Sequence, residues 1–118
     1  MAGKCLCDGN SRLIMPCSGA SDVGALSDKV ARQLMKEEKG DMFCLAGIGA
    51  HIDGMIESAK SADEIIAIDG CPVACAKKTL EHAGFTPKSF ILTKLGFEKG
   101  KTEVSDKTVQ AAISKLDI

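Results

Sequence analysis

The chain has 118 residues, 45% hydrophobic and 26% charged, with a formal net charge of −1. That make-up fits one ordinary globular domain spanning 1–118, long enough to bury its own core. Near-neutral charge without Trp or Tyr argues against a nucleic-acid partner, and no apolar run is long enough for a membrane span.

The stretch from Met1 to Asp8 lacks the apolar core of a signal peptide, so a cytoplasmic location is expected. In a reducing compartment, the chain's 6 cysteines point to metal or redox chemistry more than to disulfides. Cys5 and Cys7 stand two apart, so in an extended chain both sulfurs point the same way and can chelate. The alternative is a mobile tail carrying two free thiols.

Arg12-Leu13-Ile14-Met15 reads as a short buried strand. A loop of small residues follows and carries Cys17. Val23, Leu26, Val30 and Leu34 then recur at helical spacing, with Gly40 as the stop. Asp41-Met42-Phe43-Cys44-Leu45-Ala46 reads as a second strand, and Gly47-Ile48-Gly49 as a turn out of it. A helix is expected from His51 to Ala59, with Ile52, Met55 and Ile56 inward.

Ile65-Ile66-Ala67-Ile68 is a third strand, and the chain turns at Asp69-Gly70. Pro72 is expected at the first helical position, with Val73, Ala76, Leu80 and Ala83 inward and Gly84 as the stop. Ser89-Phe90-Ile91-Leu92-Thr93 makes a fourth strand. After a loop from Leu95 to Thr102, Ser105 is the expected N-cap of a last helix. Four strand–helix alternations predict a three-layer α/β sandwich with a four-stranded, mainly parallel sheet. The order expected is flavodoxin/Rossmann-like, with the first strand between the second and third.

In such a sheet the strand C-termini share one edge, where ligands bind. Cys17 follows the first strand, Cys44 lies late in the second, and Cys71 follows the third, with Cys75 a turn later. Neighbouring strands lie about 4.8 Å apart, so short loops can bring these thiols together. Helix N-termini beside Cys17 and Cys71 favour thiolates. Four thiolates suit tetrahedral zinc at about 2.3 Å, with an iron–sulfur cluster as the runner-up. Lys77 or Lys78 would offset the negative charge. The spacing is not that of a zinc finger, and a buried strand cysteine is the bland alternative for Cys44.

Other residues invite plainer readings. His51 is a surface histidine at a helix start, and His82 a favourable contact with a helix C-terminus. Asp22 and Asp69 border the same edge, and capping is the simpler role for both. Lys99 belongs to a solvated run of lysines and glutamates.

Pro16-Cys17-Ser18-Gly19-Ala20-Ser21, Cys44-Leu45-Ala46-Gly47-Ile48-Gly49 and Ile68-Asp69-Gly70-Cys71-Pro72-Val73-Ala74-Cys75-Ala76-Lys77-Lys78 together resemble the DGC family. These are small prokaryotic proteins named after the Asp-Gly-Cys motif and associated with zinc binding. The resemblance runs from about Arg12 to about Gly96 and implies a metal site on Cys17, Cys44, Cys71 and Cys75. Nothing carries over to Cys5 or Cys7, and the resemblance names no reaction. The expected function is binding of zinc or another thiophilic metal, in metal handling or sensing. The alternatives are a thiol enzyme with Cys17 as nucleophile, in sulfur transfer or reduction of a small thiophilic substrate, and an iron–sulfur electron carrier.

Overall fold

The computed structural model describes residues 11–118. The expectations for Cys5 and Cys7 therefore lie outside the described residues. Ser11 is buried, and its backbone N–H donates to the Asp63 carboxylate at 3.0 Å.

The chain runs β1 (Arg12–Pro16), α1 (Asp22–Lys36), β2 (Asp41–Met42), α2 (Leu45–Gly49) and α3 (Asp53–Lys60). It continues through β3 (Glu64–Asp69), α4 (Cys75–His82), β4 (Lys88–Ile91), a 3-10 turn (Leu92–Leu95) and α5 (Asp106–Ile113). The four strands form one parallel sheet in the order β2-β1-β3-β4. β1 thus lies between β2 and β3, as the flavodoxin-like arrangement requires.

Successive strand side chains alternate between two buried faces. Ile14, Ile66 and Ile68 meet Leu26, Val30 and Leu34 of α1 and Val109 of α5. Leu13, Met15, Ile65 and Ala67 meet Ile48, Ala59, Ala76 and Leu80 of α2, α3 and α4. Burial on both faces is why the strands are continuous apolar runs rather than alternating ones. The result is a three-layer α/β fold. Among the described residues no helix is long and apolar enough to cross a membrane.

Several local expectations change, among them the end of the fourth strand: β4 stops at Ile91, and Leu92 and Thr93 belong to the 3-10 turn. α1 ends at Lys36, before Gly40, with Glu38 in the left-handed region at φ 59°. β2 pairs through only Asp41 and Met42, and Cys44 is the N-cap of α2 rather than a strand residue. The Gly47-Ile48-Gly49 stretch is therefore helix, not turn. Finally, α4 starts at Cys75, so Pro72 precedes the helix and Val73 is 55% exposed. Ile52, N-cap of α3, is likewise 52% exposed. Ser105 caps α5 as expected, with Thr108 completing a reciprocal capping box.

Candidate thiol and metal centre

The site lies at the C-terminal edge of the sheet, between the loops after β1, β2 and β3. Cys17 extends the ladder between β1 and β3 by one bond, its N–H donating to Ile68 O at 2.9 Å. Its Sγ lies 3.4 Å from the Gly70 backbone N–H and 3.4 Å from Ser27 Oγ. Ser27 donates its hydroxyl proton to Gly24 O at 2.6 Å and accepts the Ser18 N–H at 3.2 Å. A neutral Cys17 thiol therefore donates to Ser27, whereas an anionic sulfur is met by the Gly70 N–H.

Gly70 has a steric purpose. A Cβ there would sit 2.6 Å from the Val23 carbonyl carbon and 2.7 Å from Gly24 N. The end of β3 thus lies directly on the first turn of α1, bringing Cys17 and Cys71 to one place. Gly24 meets Gly19 in the same way, its added Cβ falling 2.7 Å from the Gly19 carbonyl.

Asp69 and Asp22 both serve as anchors. Asp69 is 1% exposed, and its carboxylate accepts the N–H groups of Ala76 and Lys77. Asp22 accepts the N–H groups of Gly100 and Thr102, each at 2.9 Å. Those two backbone hydrogen bonds hold the Asp22 carboxyl below its ordinary pKa of 3.8. They also tie the loop carrying Lys99 to the start of α1. Lys99 Nζ then lies 3.8 Å from Cys71 Sγ, so it is part of the site and not merely solvated surface. On the other side, Ser18 Oγ donates to Asp28 at 2.8 Å, and Arg32 pairs with Asp28 at 2.7 Å. Burial pushes the Asp28 carboxyl up, but these partners outweigh it and hold it below its ordinary value.

Cys17, Cys71 and Cys75 line one cleft of about 320 Å³, together with Asp69, Ala74 and Lys99. Cys17 and Cys44 line a second, of about 530 Å³, with Arg32, Phe43 and Thr79. Cys17 is the common wall. Cys17 and Cys71 are half-buried, while Cys44 and Cys75 are exposed. The same edge thus carries the four thiols among the described residues. As arranged, however, no three His, Cys, Asp or Glu among the described residues stand as a set that would hold a metal ion. Thiolate donors suit zinc, and the small residues around them leave room for an ion. Closing on one ion requires the loops to draw together. A further groove of about 490 Å³ lies at the opposite edge, between Lys60 and Lys88, and contains no Cys or His.

Ala74, just before α4, is in the left-handed region at φ 57°. The Cys71–Ala74 turn, closed by Ala74 N–H to Cys71 O at 3.0 Å, imposes this conformation. Neither this strain nor the role of Lys99 was predictable from residue spacing.

The sequence model of the DGC domain matches residues 13–116. A similar curated protein is the "Anaerobic and virulence modulator AnvM" of Pseudomonas aeruginosa, 33% identical over 88 residues, covering 74% of this chain and 67% of that protein. No solved structure matches.

Proposed function

The chain belongs to the DGC domain family, and from that premise we propose that it binds zinc or another thiophilic metal through Cys17, Cys44, Cys71 and Cys75. The observation that carries this reading is the position of Cys17. It borders one cleft with Cys71 and Cys75 and another with Cys44, so it is the residue on which the set would close. Bound zinc would supply a positive centre for the thiolates, with no open position for a substrate if all four ligate. Such a site suits metal handling or sensing. The name of the AnvM relative, a modulator, is compatible with that use.

One observation favours a second reading, a thiol enzyme. The Gly70 N–H faces Cys17 Sγ, an arrangement suited to an anionic nucleophile. Cys17 would attack a sulfur of a small disulfide substrate and expel one thiolate. Cys71 or Cys75 would then attack the mixed disulfide, expelling the second thiolate and leaving an intrachain disulfide.

Metal analysis of anaerobically purified protein tests these readings together. About one zinc per chain is expected, falling sharply on serine replacement at each of the four cysteines. Iron with sulfide and visible absorbance would indicate an iron–sulfur carrier. No metal, with a rapidly alkylating Cys17, would favour the enzyme.

A further inference from the structure

His51 and His82 stand 31 positions apart in the chain, yet their rings meet edge to face with centroids 5.2 Å apart. Their backbones hold them there. His51 follows α2 in a left-handed conformation at φ 55°, its N–H bonded to Ile48 O at 3.0 Å. His82 is the last residue of α4. The two helices touch one turn earlier, where a Cβ on Gly49 would lie 3.5 Å from Thr79 Cγ2. A groove of about 270 Å³ runs between them, lined by Gly49, His51, Lys78, Thr79 and His82.

We infer that His51 and His82 form a two-imidazole site for a late first-row divalent cation. Metal–nitrogen bonds of about 2.1 Å put two ring centres roughly 4.5–5.2 Å apart around a shared ion. The observed spacing falls at the upper end of that range, and closing on one ion requires the edge-to-face rings to turn until a nitrogen of each faces it. Imidazole is a preferred ligand of zinc, copper and nickel. Lys78 opposes a cation in this groove, and water would complete the coordination. Gly49 and Thr79 also line the cleft of Cys17 and Cys44, so the histidine groove adjoins the thiols. A role in passing metal to those thiols rests on the proposed function. Binding at the histidines does not.

The test uses the full chain, kept anaerobic, titrated with nickel chloride and followed by NMR of the imidazole rings. The chain has only 2 histidines, so both ring signals are identifiable. Both should broaden with one shared midpoint. His51→Asn keeps a residue that tolerates the left-handed backbone. It should raise the His82 midpoint about tenfold or more, at least the loss seen on removing an outer-shell partner. His82→Gln should do the same to His51, and Lys78→Gln should lower the midpoint severalfold. Serine replacement of Cys17, Cys44, Cys71 and Cys75 should leave it in place. Separate midpoints for the two rings, or indifference of one ring to loss of the other, would overturn the site. So would loss of the histidine response in the serine variant, because nickel would then be held by thiolates. Failure of the thiol reading alone would appear in metal content, with the histidine response intact.

Discussion

The carboxylate of Asp69 accepts the backbone N–H of Ala76 at 2.7 Å and is almost fully buried in doing so. A second bond, from Lys77 at 3.0 Å, completes the cap. The N-cap residue itself, Ala74, has no side-chain oxygen to offer. The acidic residue of the Asp-Gly-Cys motif thus sets where α4 begins and places Cys75 at its first position. Asp69→Ala should destabilise the fold by about 2–3 kcal/mol, as expected for charge-assisted bonds to a buried group. Asp69→Asn, which retains an acceptor oxygen, should lose less. Urea denaturation of the two variants gives the comparison. Equal stability of Asp69→Ala and the parent would show that the cap is not needed.

The glycines divide by what lies around them. Gly70→Ala places its methyl within 2.7 Å of the α1 backbone, which cannot swing aside like a side chain. A loss of about 1–3 kcal/mol is expected, together with a changed alkylation rate at Cys17. Gly54, inside α3, has nothing within 4 Å of an added Cβ. Gly54→Ala should be stabilising, by up to about 1 kcal/mol. Thermal melts of the pair would show opposite shifts, and shifts of one sign would contradict the packing at Gly70.

The parallel α/β architecture was legible because four apolar runs alternate with helical patterns. The strand order was not readable from the residues, and the arrangement favoured for such folds is the one observed. The stripe of Val23, Leu26, Val30 and Leu34 was legible for the same reason, since period 3.6 on a long segment is unambiguous. Phe43-Cys44-Leu45-Ala46 was not. A short apolar run reads equally as strand or helix, and β2, an edge strand paired only to β1, ends at Met42. Pro72 misled because the helix start is decided by Asp69, a residue outside the helix. The convergence of cysteines on one sheet edge followed from topology. Their division into two clefts about Cys17 depends on loop conformations that no spacing encodes. Lys99 and the His51–His82 pair are long-range contacts with no local pattern.

The loop carrying Lys99 should respond to acid. Asp22 is fastened to Gly100 and Thr102, which lowers its pKa from 3.8 in the folded chain. A depressed carboxylate contributes stability that is complete above its unfolded value. That contribution is lost as pH falls through the lower, folded value. The Gly100 and Thr102 amides should therefore stay protected at neutral pH and lose protection below pH 3.8. Asp22→Asn should remove the pH-dependent part and weaken the Lys99 contact to Cys71 at neutral pH. Hydrogen exchange of the two amides provides the readout, and protection unchanged in Asp22→Asn would rule out the anchor.

Any bound metal should prove functional rather than a folding staple. Small zinc modules need the ion because they cannot bury enough apolar surface alone. Here Ile14, Leu26, Val30, Ile66 and Ile68 are fully buried on one face, and Met15, Ile48 and Leu80 on the other. Each such side chain contributes roughly 1.5–3 kcal/mol before conformational entropy is counted. The four described cysteines, by contrast, are half-buried or exposed at the sheet edge. They join no elements that the core leaves apart. Chelator-treated protein should therefore keep its far-UV circular dichroism and unfold cooperatively. Its melting temperature should fall on the order of 10 °C, if the metal was present at about a hundredfold over its dissociation constant. Collapse of the secondary structure on chelation, reversed by zinc, would make the site structural and sink this reading. Retained structure would instead leave the Cys17 thiol between its two clefts with the fold intact, as exchange or sensing of a metal requires.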